Sequence, residues 1–543
     1  MARFGFSLLV AATVGGGALT GALLADKAAG HGEPEAFLAR YTQILERVRE
    51  VAPLDASAAD LVYGSLDGML ETLDPHSNFL RPELFAAMRE RQQGSFYGIG
   101  VLIGIRGGKV TILTPIQGTP AYRLGLRAGD IIEAVDGQST QDMDLDEVAR
   151  RLRGPEGTKV RVTISRPGLP QPLDFEITRA RVPSESVRNA FLLDDRTAYI
   201  RIGEFTRTTG RETAEALAKL TQQGATRLIL DLRDNPGGLV DSAVEVAGLV
   251  LKPGQRVFST RGRTADSYQD YRVSRDGQHF EGPVVVVVNG GTASAAEIVA
   301  GAIQDHDRGL VVGEPTFGKG VVQTIFPVKN CGVALTTAKY YTPSGRCIQR
   351  DWDSYFSYVH HGDAKPNGTS EPNAVPTPPP GEVYFTDSGR KVYGGGGIFP
   401  DRTRSLKDYS PTVAKLLAQS AFFQYAVSYL APHADKETAA RNFKADDSQL
   451  AAFGRTAVEK GWVTEEEWAQ VLASPDDTHD AAVLLHSEIV NVGVSLNDGF
   501  KVLAADDEQI REALEALEEA ARLYQRVQGG SQQAARIPLK TTY

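Results

Sequence analysis

Cysteine is almost missing from this chain: Cys331 and Cys347 are the two in 543 residues. No disulfide framework is available, so hydrophobic cores must hold the protein together. Neither cysteine has the histidine or cysteine company of a metal site, and neither a metal nor a cofactor is expected. A basic excess is missing too. The 58 Lys and Arg residues stand against 68 Asp and Glu, a net charge of -10, which leaves no footprint for nucleic acid. A hydrophobic content of 42% with 23% charged residues describes a globular protein. The length calls for roughly three or four domains. Charge is absent altogether from residues 4–25, between Arg3 and Asp26-Lys27. That run reads as a signal peptide or an N-terminal membrane anchor. Its glycines weaken it as a spanning helix, and Leu23-Leu24-Ala25 is a poor small-x-small cleavage site. In either case the remainder is expected outside the cytoplasm, which in a bacterium is the periplasm or the outer face. In an oxidising compartment Cys331 and Cys347 are candidates for a bond across a strand and turn, and spacing leaves the bonded and free states both open.

What is present falls into blocks. Residues 1–29 hold the export segment and residues 30–93 a helical region. Phe37, Tyr41, Ile44, Leu45 and Val48 recur there at helical spacing, and Asp74-Pro75 breaks a second helix. Residues 94–182 switch to short strands with glycine turns. From residue 183 to 410, apolar strands, glycine turns and helices alternate, which predicts an α/β core. Gly394 to Gly397 and the proline-rich stretch before them read as a long surface connection. Residues 411–527 read as helical. Ile510, Leu514, Leu517, Ala521, Tyr524 and Val527 form an apolar stripe, expected to pack within that domain or in a dimer. Residues 528–543 read as a disordered tail.

The most informative stretch is Asn289-Gly290-Gly291-Thr292-Ala293-Ser294-Ala295-Ala296-Glu297. It follows Val284-Val285-Val286-Val287-Val288, a run suited to a strand buried on both faces. Ser294 thus falls at the first turn of a helix, where unpaired N–H groups point outward. That suits a nucleophile whose attack generates an oxyanion. Taken alone, the stretch favours a plain N-cap. The glycine-rich segment Gly318-Lys319-Gly320, leading into Val321-Val322-Gln323, reverses the balance.

Together these motifs resemble the C-terminal processing (tail-specific) proteases, a family of Ser/Lys endopeptidases. The resemblance also takes in Leu73-Asp74-Pro75-His76-Ser77, Asp231-Leu232-Arg233-Asp234-Asn235-Pro236-Gly237-Gly238, Thr342-Pro343-Ser344-Gly345-Arg346 and Gly397-Ile398-Phe399-Pro400-Asp401. Residues 94–182 resemble a PDZ domain through Ala121-x-x-x-Gly125-Leu126-x-x-Gly129-Asp130-x-Ile132 and Val135-Asp136-Gly137. The resemblance implies Ser294 as nucleophile, Lys319 as base and Gln323 as the group that positions it. It implies an oxyanion hole from Ala295 and from Gly237 or Gly238. A lysine base must be neutral, so its pKa must fall from ~10.4 toward neutrality. His306 and Asp305 are read as structural. Gly98, Ile99, Gly100 and Val101 would offer backbone N–H groups to a peptide's terminal carboxylate, beside an open strand edge. The expected partners are substrates with free C-termini, together with an adaptor and a second copy docked through the helical regions. Two rival readings stay open: a catalytically silent PDZ scaffold, and a crotonase-like acyl-thioester enzyme with similar glycine turns.

Overall fold

Alternating β-branched runs and glycine turns build the architecture seen in a computed structural model, which describes residues 34–53, 56–274, 279–351 and 382–534. The uncharged run at residues 4–25 and the proline-rich stretch lie outside these. Among the described residues no helix is long and apolar enough to cross a membrane. The chain divides into two units, residues 1–74 and 75–543.

The first unit holds helices α1 (Pro34–Val51) and α2 (Ala58–Glu71). Ser57 caps α2 by accepting the Asp60 N–H at 3.0 Å, and Tyr41 and Ser65 share a hydrogen bond of 2.7 Å across the pair.

In the second unit, a small β domain comes first. Its antiparallel sheet starts at an edge strand, β1 (Val101–Arg106), and continues through Lys109–Pro115, Ile131–Val135, Lys159–Ser165 and Leu173–Thr178. Period-two alternation sends Val160, Val162 and Ile164 inward. There they meet Val148 and Leu152 of helix α3 (Leu145–Leu152), whose first turn is capped by Asp144.

The central region is a six-stranded sheet. Its strands lie in the order β2 (Val187–Leu192), β3 (Thr197–Ile202), β4 (Arg227–Asp231), β5 (Val284–Val288), β6 (Gly309–Gly313), then Arg402–Thr403. The first pair is antiparallel and the others are parallel. Parallel strands need crossovers, and helices α4 (Thr209–Gln222), α5 (Val240–Gly248) and α6 (Ala295–Asp305) supply them. All five residues of β5 are fully buried, which explains its unbroken valines. Val284, Val286 and Val288 pack toward the crossover helices, whereas Val285 and Val287 enter a separate core on the opposite face. A second sheet carries the hairpin of β7 (Val321–Val328) and β8 (Cys331–Tyr341).

The structure corrects three expectations and answers one question that the sequence left open. Helices α7 (Pro475–Gly493), α8 (Leu496–Asp506) and α9 (Glu508–Ala534) close the C-terminal region. The apolar face of α9 packs outside the helical domain. Ile510, Ala513, Ala516 and Leu517 cover Tyr199, Ile229, Val285 and Val287 on the second face of the central sheet. A parallel sheet needs both faces covered, and α9 meets that need. A helical core of its own spans residues 413–489 instead. Helix α9 also runs on to Ala534, past the expected tail start at Gln528, because backbone hydrogen bonding propagates beyond the packed turns. Gly394 to Gly397 are not a loose connection: Gly395 N–H donates to Cys347 O at 2.9 Å, Gly397 N–H to Ile348 O at 3.0 Å, and Ile398 is fully buried. Finally, Cys331 and Cys347 are free thiols. Cys331 opens the eleven-residue β8 and Cys347 pairs with its last residue, Tyr341. Strand rise alone separates them by roughly 30 Å, far beyond disulfide reach.

Candidate active site

Ser294 stands at the N-cap of α6, half-buried, where buried β5 ends and the helix begins. Its backbone is unusual, with φ 55 and ψ -116. An ordinary cap residue sits in the β region. A non-glycine residue held at positive φ costs on the order of 1–3 kcal/mol, and such strain gathers where a side chain must be aimed. That strain makes Ser294 a candidate for a role beyond capping the helix.

What holds Ser294 there is Glu297, a residue quoted in the sequence motif without a role. Its fully buried carboxylate accepts the Ser294 N–H at 2.8 Å and the Lys319 N–H at 3.0 Å on the same oxygen. Those two bonds keep the two backbone nitrogens within about 6 Å of each other. The other oxygen accepts the Thr316 hydroxyl at 2.5 Å and the Gly318 N–H at 2.8 Å. Burial pushes the Glu297 pKa up, and these four donors only partly push it back. The signal in the sequence was the spacing Ser294-x-x-Glu297, the pattern of a capping box.

Lys319 extends along the start of β7 to Gln323, donating to Oε1 at 2.8 Å. The Gln323 amide in turn donates to the His76 carbonyl at 2.5 Å, across 247 residues. This gives Leu73-Asp74-Pro75-His76-Ser77 its place: His76 supports Gln323, and the Ser77 hydroxyl accepts the Thr336 N–H of β8 at 3.1 Å.

The second glycine turn abuts the first. Asn235 accepts the Ala293 N–H through its carbonyl at 2.8 Å, and its side chain accepts the Gly237 N–H at 2.9 Å. Asp234 and Asn289 pair through two bonds of 2.8 and 2.9 Å. Gly237 has φ 96, and a Cβ there would lie 2.8 Å from the Ser294 Cβ, so only glycine fits against the serine. Gly238 forms an isolated parallel bridge with Phe205, in which Phe205 bonds to Gly237 O and Leu239 N.

Other motif residues brace this centre. Arg233 pairs with Asp231 at 2.6 Å and reaches Asp507 at 2.7 Å and Gln509 at 2.9 Å at the start of α9. Arg346 and Asp305 form a fully buried pair at 2.7 Å, and Asp305 also accepts the Ser344 N–H at 3.0 Å. Ile398 N–H donates to the Thr316 hydroxyl at 2.6 Å. His306 closes the far end of α6, about 18 Å of helix from Ser294. It bonds Asp387 at 2.8 Å and the Arg256 carbonyl at 2.7 Å. Among the described residues no cluster of His, Cys, Asp or Glu is placed to hold a metal.

Gly98, Ile99, Gly100 and Val101 come together elsewhere, on the wall of a cavity of about 930 Å³ between β1 and α3. Ser294, Lys319 and Gln323 do not line it. Gly98 ends a strand paired with Ala180, so the turn that follows is presented at a free sheet edge.

The sequence pattern of peptidase family S41 matches residues 196–352, and that of a PDZ domain matches residues 111–166. A carboxy-terminal-processing protease of Bartonella bacilliformis is 38% identical over 317 residues, which span 58% of this chain and 72% of that one. A carboxyl-terminal-processing protease of Synechocystis is 40% identical over 298 residues, 53% of this chain and 68% of that one. A solved structure, the photosystem II D1 C-terminal processing protease, is 34% identical over 57% of this chain and 84% of its own, with a TM-score of 0.32. With the serine turn, the lysine strand and the edge-strand cavity already in place, the family patterns and the two bacterial relatives fix the family: the chain belongs to the carboxy-terminal processing proteases of peptidase family S41, serine peptidases that carry a PDZ domain.

Proposed function

We propose that this protein is an exported endopeptidase that works through a Ser294–Lys319 dyad and takes substrates by their free C-termini. The observation that carries the dyad is the shared Glu297 oxygen, which ties the backbone of Ser294 to that of Lys319. In this reading neutral Lys319 accepts the Ser294 proton as Oγ bonds to the scissile carbonyl carbon. The oxyanion forms opposite the N–H of Ala295 and of Gly238. Gly238 is preferred to Gly237 because the Gly237 N–H is committed to Asn235. Collapse breaks the C–N bond, the leaving amine takes the proton from the Lys319 ammonium, and an acyl-enzyme remains. Water, deprotonated by Lys319, then attacks the ester, and Ser294 regains its proton as the new carboxylate leaves. Gln323 orients Lys319 without adding a charge that would hold the ammonium form.

The uncharged run at residues 4–25 supports a place outside the cytoplasm, periplasmic and either processed or anchored. A reporter active only after export, fused after residue 29, tests that point. For the chemistry, a gel assay with an unfolded protein is the direct test. The full chain should degrade it and Ser294→Ala should not. A binding scaffold would leave the substrate intact with either protein, and degradation by Ser294→Ala would remove Ser294 from the mechanism.

A further inference from the structure

The cavity beside Gly98 to Val101 has a second wall that does not come from the PDZ domain. Val492 and Val494 at the end of α7, Ser495 to Asn497 at the start of α8, and Lys436 line it. Both walls are joined firmly. The Arg106 guanidinium lies 5.5 Å over the Phe423 ring, and Gly129 sits so tightly against Val427 that a Cβ would come within 2.5 Å of it.

Charge along this cavity is unbalanced at one end. Lys436 is half-buried and makes no ion pair among the described residues. The charges that bear on it are Arg127, Arg166 and Asp130. Both Asp130 oxygens are taken by Arg166, at 2.7 and 2.8 Å. That neutralises one cation and leaves Arg127 and Lys436 as like charges on the wall of the same cavity. Burial, followed by the repulsion of these arginines, lowers the Lys436 pKa. Two like charges in a partly desolvated cleft call for an anion. The same end connects to the carboxylate-facing turn: the Ala121 N–H donates to Ile99 O at 2.9 Å and the Leu126 N–H to Ala121 O at 3.1 Å, one residue before Arg127. Within this turn the N–H groups of Ile99 and Gly100 donate to no backbone carbonyl outside the sheet ladders among the described residues. Two further carboxylates, Asp146 and Glu185, line the cavity without pairing to Lys436.

We infer that Lys436, delivered by the C-terminal helical region, completes the tail-binding groove and with Arg127 binds a carboxylate at the end of an extended substrate. The groove is thus a slot built by two domains. It admits a single unfolded strand added at β1 and draws in its negative end. This rests on the reading that the PDZ domain binds substrate tails, and it adds residues from a region that no tail-binding motif covers. The carboxylate is the terminal one or that of an acidic residue close to the end.

The test is peptide binding by fluorescence anisotropy, using the full chain carrying Ser294→Ala and mass spectrometry to verify that the probe stays intact. The probe is a fluorescein-labelled peptide with an apolar end, as free acid, as amide, and as an amide with glutamate near the end. The acid should bind about tenfold more tightly than the plain amide, and Lys436→Ala should remove most of that gap. Lys436→Glu should remove all of it, Lys436→Arg should restore it, and the plain amide should bind all variants alike. Added salt should narrow the gap in the parent protein. Sensitivity to Lys436 only in the glutamate-bearing amide would assign the anion to a side chain. Thermal melting confirms that each variant is folded. If the gap persists unchanged in Lys436→Ala and Lys436→Glu, this inference falls and tail recognition stands. If the parent shows no gap between acid and amide, tail recognition itself falls.

Discussion

The serine turn and the PDZ groove solve opposite problems. Around Ser294 nearly every backbone group is committed. Glu297 gathers four donors, Asn235 and Asn289 clip one glycine turn to the other, and Gln323 is held by a carbonyl from far along the chain. The groove, in contrast, keeps an unpaired strand edge, a half-buried Lys436 and walls from two domains. In the proposed function, one region spends its hydrogen bonds on fixing Ser294 and Lys319 before substrate arrives, as catalysis by positioning would require. The other leaves hydrogen-bonding capacity open for a polypeptide to fill.

Breaking the committed side should have the larger effects. Lys319→Ala should lower kcat/KM by at least about a thousandfold, and combining it with Ser294→Ala should add almost nothing, because the two act as a unit. Additive losses in the double variant would show independent roles. Next comes Glu297→Gln. An amide presents only one acceptor oxygen to four donors, so the serine and lysine turns should drift apart and kcat should fall about a hundredfold with KM little changed. Full activity in a folded Glu297→Gln protein would deny the carboxylate its positioning role. Gln323→Ala should be milder, roughly 10–100-fold, as for other orienting partners.

The uncommitted side should respond more gently. Amidating a substrate's C-terminus should slow cleavage about tenfold at low substrate concentration, with no change once substrate is saturating. An equal loss at saturation would move the effect from recognition to chemistry.

The smallest effect concerns a brace remote from both. Burial disfavours a charged His306, yet the Asp387 carboxylate and the Arg256 carbonyl outweigh it and raise the pKa. A raised histidine adds stability that is complete below its unfolded value near 6.5 and fades as pH climbs through the folded value. Asp387 is half exposed, so the contribution is at most about 1 kcal/mol. The melting temperature of Asp387→Asn should therefore trail the parent more at pH 6 than at pH 9 (a gap that is equal or reversed would contradict the pairing).

Much of this was legible in the chain because the signals are local. Five consecutive valines state that β5 is covered on both sides, and glycines after β4 and β5 mark where strands turn into helices. Ser294, Lys319 and Gln323 could be proposed through the resemblance that the ordered motifs carry, and Ser294-x-x-Glu297 carried its own capping signature. Tertiary structure decided what local signals cannot encode. The apolar stripe of α9 says only that one face must be buried; the partner, the back of the central sheet, was chosen by the need of β5 for a second cover. The commitment of Gly237 rather than Gly238 depends on the Asn235 side chain and on the bridge to Phe205. His76 meets Gln323, and Lys436 joins Arg127 on one cavity wall, only once the chain has closed loops of hundreds of residues. Periodicity and capping are set within a few turns of backbone, whereas these encounters are fixed by how whole layers pack, and no short stretch of sequence carries that information.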